Sequence, residues 1–233
     1  MVVVPAQASV TFGRGERGRG SVPVPQLHRF KIFPVTAERA RNVRYAAGKR
    51  VAPSRHSWHR AVVLVRRETS GDEAAIHAVT AAAFARPGED VPLEAPLVDW
   101  LRASPAWIPG LSLVALGPDG DVVGHVVCTR GSVGPAPVLA LGPLSVRPDW
   151  WRQGVGKALM HAVLGAADAL GEPLVALLGS TKYYPRFGFR LADEYGITPG
   201  HPEWTEHFQV RTLTAYDPAV RGEFSYPEPF ERL

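Results

Sequence analysis

The sequence has almost no cysteine and no long apolar run, and each absence excludes a class of protein. Cys128 is the single cysteine among 233 residues, so neither a disulfide framework nor a cysteine-based zinc site can form within one chain. We therefore expect a reducing, cytoplasmic setting. No apolar stretch approaches the roughly 20 residues that a membrane-spanning helix needs, so no membrane partner is expected. A hydrophobic content of 45% is enough for one domain with a substantial core.

Acidic residues are nearly missing from residues 1–60, which hold 12 Lys and Arg but only 2 Asp and Glu. The other residues hold 14 basic and 20 acidic side chains, so the net charge of +4 conceals two kinds of sequence. Residues 1–60 show little apolar periodicity, and we interpret them as a basic, disordered N-terminal extension. Three other interpretations stay open: a true translation start near Val62 or Val63, an arm that binds nucleic acid, and an organelle transit peptide.

Residues 144–160, LSVRPDWWRQGVGKALM, form the most informative stretch of the chain. A short apolar strand ends here, a turn over 152–156 follows, and a helix starts at once. Free backbone N–H groups at a helix N-terminus attract anions, and the two glycines let a phosphate approach the backbone closely. The segment therefore predicts a phosphate-bearing cofactor.

Two common phosphate-binding loops do not fit this segment. A P-loop would need Gly at Trp151 and Ser or Thr at Ala158. A dinucleotide-binding fingerprint would need a third Gly at Leu159. What remains is a strand, a Gly-x-Gly turn and an amphipathic helix, with an ordinary strand-to-helix turn as the alternative.

This pattern resembles motif A of the GNAT acetyltransferases, and residues 183–189, YYPRFGF, resemble motif B of that family in the form of its YhbS-like branch. The resemblance covers roughly residues 62–215. It implies an α+β fold: a three-layer α/β/α GNAT-like domain with a central mixed, mostly antiparallel sheet splayed at strands 4 and 5. The chain departs from the family at Trp151, where Gln or Arg is usual. We expect the loop to survive this change, because the contacts there are mainly backbone amides, and Arg152 offers a substitute positive charge.

The resemblance also implies acetyl-CoA as co-substrate, no metal, and an amine as acceptor. Backbone groups of Leu144 and Val146 would bind pantetheine, and the loop would hold the pyrophosphate. The loop residues are Arg152, Gln153, Gly154, Val155, Gly156 and Lys157. Tyr184 has the family's spacing to Gly188 and would be the general acid that protonates the leaving thiolate. In the alternative, Tyr184 only packs and Tyr183 points to the sulfur.

The general base is left open by the sequence. The strand VLALGPLSV carries no carboxylate. Glu89, Asp90 and Glu94 lie near the expected acceptor cleft, and His125 lies on the third strand, yet each also fits a structural or surface role. A water-mediated path is therefore the default interpretation.

Periodicity and turn residues predict the elements of the domain. We expect strands over 61–67, 111–116, 122–128, 138–146, 174–178 and 187–191, with 207–213 as the last strand. Helices are expected over 93–102, after the Gly-x-Gly turn, and after Ser70, which would be the N-cap with Glu73 at the third helical position. A bulge is expected at Gly142-Pro143, because Pro removes a ladder donor.

We thus expect a basic extension over 1–60, an acetyltransferase domain over 61–215 and a C-terminal tail over 216–233 packed on or beside it. The expected activity is acetyl-CoA-dependent transfer to a primary amine of a small molecule or peptide, by direct transfer, in a monomer or homodimer. The alternatives are a non-catalytic acyl-CoA sensor or interaction module of the same fold, and a nucleic-acid-associated protein dominated by its basic arm. Loops around 86–110, 130–137 and 192–206 would set the acceptor, and they contain no interpretable motif.

Overall fold

The structure, a computed structural model of the chain, describes residues 63–86 and 92–233. The interpretation of residues 1–60 and the candidate bases Glu89 and Asp90 lie outside the described residues. Within the described ranges, no helix is long and apolar enough to cross a membrane. The same ranges contain no group of three or more His, Cys, Asp or Glu side chains suited to hold a metal ion.

The described residues form nine strands and three α-helices around one sheet. The strands are β1 (Leu64–Arg67), β2 (Ser112–Leu116), β3 (Val122–Val133), β4 (Ala136–Val146), β5 (Leu174–Leu178), β6 (Arg190–Leu191), β7 (Ile197–Pro199), β8 (Phe208–Thr212) and β9 (Gly222–Ser225). The helices are α1 (Glu73–Phe84), α2 (Glu94–Arg102) and α3 (Val155–Ala169). Short 3₁₀ helices occupy several of the connections.

The sheet has the order β1-β2-β3-β4-β5-β8-β6, and β9 pairs with both β3 and β7. The strand pairs are antiparallel except β4 with β5 and β7 with β9. Because side chains alternate along a strand, one face of the sheet packs against α3 and the other against α1 and α2. This is the three-layer, mixed and mostly antiparallel α+β arrangement, and the predicted fold class is confirmed.

Strand β5 has the predicted bounds, whereas β3 extends five residues past its predicted end at Cys128. The prediction that the strand over 207–213 is the last one is wrong, because β9 follows it. β9 joins the sheet where Ser225 and Phe224 pair with Ser132 and Val133 at the far end of β3. The chain after β8 therefore adds one more strand to the sheet.

The start of α1 differs from the prediction. Ser70 is predicted as N-cap with Glu73 at the third helical position, but Ser70 begins a 3₁₀ turn (Ser70–Asp72) that Thr69 caps, and α1 itself begins at Glu73. The Asp72 carboxylate accepts hydrogen bonds from the Thr69 N–H at 2.7 Å and from its hydroxyl at 2.9 Å. Asp72 also forms an ion pair with Arg66 at 2.6 Å. Because the Asp72 carboxylate is held by both Arg66 and Thr69, Thr69 rather than Ser70 is the capping residue.

Helix α3 approaches the sheet closely at Gly124 of β3. A Cβ at this position would lie 2.9 Å from the Val155 side chain and 3.0 Å from that of Leu159. Both side chains are buried in the core on this face of the sheet. Glycine at 124 therefore lets the first turns of α3 rest directly on β3, next to the end of β4.

Candidate functional site

A gap opens between β4 and β5 close to the start of α3. The two strands pair at Leu139 with Val175 and at Ala140 with Ala176, after which β4 continues to Val146. The register of β4 against β3 shifts where the bulge at Gly142-Pro143 was predicted, and that prediction is confirmed. The sheet is therefore splayed along the last part of β4.

The backbone of β4 faces this gap at the two residues predicted to bind pantetheine. The Arg147 N–H donates to the Val123 carbonyl at 2.9 Å, so residue 147 directs its N–H toward β3. Backbone groups alternate sides along a strand, so those of Val146 and Leu144 point away from β3 and into the gap. Hydrogen-bonding groups thus line one edge of the gap.

The turn between β4 and α3 presents N–H groups at the helix start. The Ala158 N–H donates to the Gly154 carbonyl at 2.9 Å, so the N–H groups of residues 155–157 precede the helical ladder. Gly154 has φ of 94° and Arg152 has φ of 65°, and these left-handed conformations turn the chain into α3. The six predicted loop residues, 152–157, comprise the end of this turn and the first three residues of α3, at the positive end of the α3 dipole. The arrangement has the chemistry of an anion site.

Trp151 connects this turn to the end of β4. Its indole Nε1–H donates to the Val146 carbonyl at 2.7 Å. The residue that departs from the family pattern therefore holds the turn against the strand, and the Val146 carbonyl keeps a second lone pair for another donor. Gln153 stabilises the same turn through its Nε2–H, which donates to the Asp149 carbonyl at 2.8 Å.

The basic side chains near the turn differ in their surroundings. Arg152 and Lys157 are exposed to solvent. Arg147 instead donates to the Asp121 carboxylate at 2.5 Å and to that of Asp149 at 2.8 Å. Arg152 and Lys157 are thus the positive charges with open access to an anion at the turn.

Tyr184 is fully buried at the start of a 3₁₀ helix (Tyr184–Phe187) that follows β5. Its ring lies against Gly179, where a Cβ would come within 2.8 Å of the Tyr184 Cδ2. Burial raises the pKa of Tyr184 well above its usual range, and the neighbouring phenols of Tyr183 and Tyr226 add to that rise. The hydroxyl therefore keeps its proton throughout the physiological pH range.

Tyr183 lies beside the first turn of α3. Its hydroxyl is 3.0 Å from the point where a Cβ on Gly156 would lie. The Arg186 guanidinium stacks over the Tyr183 ring at 4.8 Å. Burial raises the pKa of Tyr183, and the charge of Arg186 opposes that rise. The Tyr183 hydroxyl thus lies beside Gly156 of α3, and the Tyr184 ring lies beside Gly179 at the end of β5.

Two candidate bases fall within the described residues. Glu94 opens α2, is nearly buried, and has its Oε1 atom 3.4 Å from an Arg86 guanidinium nitrogen. His125 is fully buried on β3, on the face covered by α1 and α2, and belongs to a polar network that sequence reasoning missed.

The network joins four elements around the Glu68 carboxylate. Arg102 at the end of α2 donates to Glu68 at 2.8 Å, and the Ser112 hydroxyl at the start of β2 donates to its other oxygen. Burial favours a raised pKa for Glu68, but hydrogen bonds from His125, Arg102 and Ser112 outweigh it and hold the pKa at about 2. Ser112 lies 44 positions from Glu68, so no local pattern could have predicted this pairing.

The tautomer of His125 follows from the same contacts. Because the Ser112 hydroxyl donates its proton to Glu68, it offers only lone pairs to the His125 Nε2 atom, 2.9 Å away. Nε2 therefore carries the imidazole proton. Nδ1 is buried and has no hydrogen-bond partner within 63–86 and 92–233. Burial lowers the pKa of His125, against the opposing effect of Glu68, so the ring is neutral.

Comparison with known proteins agrees with this architecture. The model of the acetyltransferase (GNAT) family matches residues 74–189. The chain is 32% identical over 146 residues to the uncharacterized N-acetyltransferase YjhQ of Escherichia coli (strain K12), covering 59% of this chain and 80% of that protein. It is 31% identical over 128 residues to the uncharacterized N-acetyltransferase YhbS of the same strain, covering 53% of this chain and 75% of that protein.

Two solved structures share the fold at similar identity. YhbS from Escherichia coli, in complex with CoA, superimposes with a TM-score of 0.67 and 29% identity over 74% of this chain and 94% of that one. A GNAT family acetyltransferase from Brucella melitensis, in complex with acetyl-CoA, gives a TM-score of 0.60 and 32% identity over 73% and 99% of the two chains. The predicted likeness to the YhbS-like branch is confirmed. On sequence identity, coverage and fold alike, this chain belongs to the acetyltransferase (GNAT) family.

Proposed function

We propose that this protein transfers the acetyl group of acetyl-CoA directly to a primary amine of a small molecule or peptide. The proposal rests on the gap after Ala140 and Ala176, with outward-facing β4 backbone on one edge, the N–H groups at the start of α3 beside it, and the buried Tyr184 ring against Gly179 at the end of β5. The complexes of YhbS with CoA and of the Brucella melitensis protein with acetyl-CoA support acetyl-CoA as the co-substrate here.

The gap and the turn would bind different parts of acetyl-CoA. Backbone groups of Leu144 and Val146 would pair with the amides of pantetheine, because they have no strand beside them. The turn N–H groups would bind the pyrophosphate. The residues assigned to that turn are Arg152, Gln153, Gly154, Val155, Gly156 and Lys157. Arg152 and Lys157 add charge, and the buried Val155 side chain anchors the turn to the core.

Tyr184 supplies the proton that the reaction needs at sulfur. Bound acetyl-CoA offers a thioester whose C–S bond breaks as the amine nitrogen bonds to the carbonyl carbon, with the electron pair leaving on sulfur. The Tyr184 hydroxyl then donates its proton to that sulfur, so the leaving group departs as a neutral thiol. Burial raises the pKa of Tyr184, and the same buried surroundings disfavour a free thiolate, so the two acidities shift in the same direction.

The acceptor amine must arrive neutral and must lose a proton as the amide forms. None of the β4 residues is a carboxylate. We therefore assign this proton to a chain of water molecules on the acceptor side of the gap.

The test is an assay of thiol release with acetyl-CoA and a panel of polyamines, amino acids, aminoglycosides and lysine peptides. We expect turnover with at least one amine and a loss of roughly 10²–10⁴-fold in kcat for Tyr184→Phe, because that variant lacks the proton donor. Tyr216→Phe is the matched control, since Tyr216 packs edge-on against Tyr195 on a segment after β8 and should keep full activity. A Tyr184→Phe enzyme with unchanged kcat would contradict the assigned acid.

A measurement of acetyl-CoA binding, taken together with the thiol assay, distinguishes the acetyltransferase from a non-catalytic acyl-CoA sensor. Acetyl-CoA at about 100 times its Kd should stabilise the native protein by about 2.7 kcal/mol and raise the thermal midpoint. Such a rise without thiol release on any amine would instead support the acyl-CoA sensor. An unchanged midpoint in excess acetyl-CoA would count against both.

A further inference from the structure

The C-terminal segment of the chain passes the end of β5. β9 pairs with the tip of β3 on one side and with β7 on the other, so it links two of the loops expected around the acceptor. Tyr226 follows β9 directly. The last 3₁₀ helix (Glu228–Arg232) then packs on α2, with Phe230 in contact with the cluster that contains Leu97 and Leu101. Residues 222–233 thus contact all three regions that would surround an acceptor.

The backbone of β5 faces the gap at Leu178, the last residue of the strand. The Gly179 N–H donates to the His207 carbonyl at 2.9 Å, so residue 179 directs its N–H toward β8. By the same alternation as on β4, the N–H and carbonyl of Leu178 point the opposite way, into the gap. The phenol of Tyr226 lies against this backbone: a hydrogen bond with Leu178 opposes the rise that burial causes in the Tyr226 pKa.

The Tyr226 ring is held by a group of aromatic side chains. Its centroid lies 4.7 Å from that of Phe224, 4.7 Å from that of Phe230 and 6.4 Å from that of Phe208. Trp204, from the loop over 192–206, lies 6.2 Å away. Rings packed in this way restrict the side chain, so the hydroxyl has a defined position at the end of β5.

Tyr226 and Tyr184 reach the same point from opposite faces of the sheet. Tyr184 belongs to the core on the α3 face and lies against Gly179. Tyr226 belongs to the cluster on the other face, with Leu178 and Phe208. The place where the sheet is splayed therefore has one phenol on the α3 side and a second on the side covered by α1 and α2.

We propose that Tyr226 is a second reaction-centre residue, which binds the acceptor amine on the side of the gap opposite Tyr184. Its phenol oxygen accepts a hydrogen bond from one amine N–H, which aims the nitrogen lone pair at the thioester carbon. The bond that forms is N–C and the bond that breaks is C–S, as in the proposed function on which this inference rests. The acceptor class is a primary amine, because one N–H bonds to Tyr226, a second N–H gives its proton to the water chain, and the lone pair stays free to attack.

The first test is kinetic. Tyr226→Phe keeps the ring and its packing but removes the hydroxyl, so we expect kcat/KM for the amine to fall by about tenfold or more, which corresponds to one lost hydrogen bond. The Kd for acetyl-CoA should stay near the wild-type value, whereas the thermal midpoint should fall modestly because the Leu178 backbone loses its hydrogen bond with the phenol. Tyr216→Phe is again the control. Wild-type kcat/KM in Tyr226→Phe for every accepted amine would overturn the inference, although turnover itself would uphold the proposed function.

The second test needs no accepted amine. The chain has 6 tyrosines, so fluorine NMR of protein labelled with 3-fluorotyrosine gives few signals, which single Tyr→Phe variants assign. Addition of acetyl-CoA should shift the signals of Tyr184 and Tyr226 and leave that of Tyr216 in place. A shift at Tyr184 without one at Tyr226 would overturn the inference alone. No shift at any tyrosine would overturn the proposed function and this inference with it.

Discussion

Arg152 adopts an unfavourable conformation at the start of the proposed cofactor site. It is a non-glycine residue with φ of 65°, and its side chain is exposed, so no packing compensates for the strain. Arg152→Gly should therefore raise the free energy of unfolding by roughly 0.5–1 kcal/mol, after the greater flexibility of glycine in the unfolded chain is discounted. Urea unfolding of the free protein measures this change.

The same variant should bind acetyl-CoA about three- to tenfold more weakly, because it lacks the guanidinium beside the pyrophosphate. Arg152→Asn is the matched variant: Asn tolerates the left-handed region but carries no charge, so it should lose the same affinity. Calorimetric titration gives both values. If Arg152→Gly bound acetyl-CoA as tightly as the wild type, the conformation would have no explanation in cofactor binding.

Residue spacing predicted on which elements the proposed site residues lie but not the contacts that hold them. The position of Tyr184 before Gly188 placed it correctly after β5, and the Gly-x-Gly turn placed Gly154 at the start of α3. The contact between Tyr184 and Gly179, by contrast, depends on how β5 ends against the helix that follows. The hydrogen bond from the Trp151 indole to the Val146 carbonyl could not be predicted from the sequence either, because it depends on the path of the turn.

The Glu68 network connects the residue that follows β1 with β2, β3 and α2. The pKa of Glu68 is held at about 2 in the folded chain, below the ordinary value of 4.5. A depressed carboxyl pKa stabilises the fold above pH 4.5, and this contribution is lost as the pH falls toward 2. Glu68→Gln should therefore cost about 3 kcal/mol at neutral pH, and the difference from wild type should shrink steadily between pH 4.5 and 2.

Urea unfolding over that pH range measures the difference, with Glu228→Gln as control. Glu228 pairs with Arg232 on an exposed helical turn, so its loss should change stability little at any pH. A constant difference between wild type and Glu68→Gln from pH 7 to pH 2 would show that the network acts through packing rather than through the charge of Glu68.

Elements with strong patterns were predictable and short ones were not. A run of five buried apolar residues predicted β5 to the residue, and Gly171 marked the end of α3. β7 has three residues and β9 has four, too few for a recognisable alternation. β7 pairs with β9, and β9 pairs with both β7 and β3, so their pairing is a tertiary effect that the local sequence does not contain.

Across the whole molecule, the most basic part of the chain and the residues assigned to the gap lie in different segments. Residues 1–60 hold 12 of the 26 basic side chains, while every residue assigned to the gap lies between 144 and 226. The sheet that forms the gap begins at Leu64. Composition predicts an extension over residues 1–60, because a run with so many basic and so few periodic apolar residues is not expected to form a core.

A chain that starts at residue 61 should therefore keep the proposed activity. We expect its Kd for acetyl-CoA and its kcat to lie within about twofold of the full-length values, because the remaining residues contain both edges of the gap, the turn and both phenols. Calorimetric titration and thiol release measure these quantities. A second truncation that ends at Arg221 provides the contrast, since it removes β9 and Tyr226 and should lower both the thermal midpoint and kcat/KM. If the chain from residue 61 unfolds cooperatively yet fails to bind acetyl-CoA, residues 1–60 contribute to the site, and the proposed boundary between extension and domain is wrong.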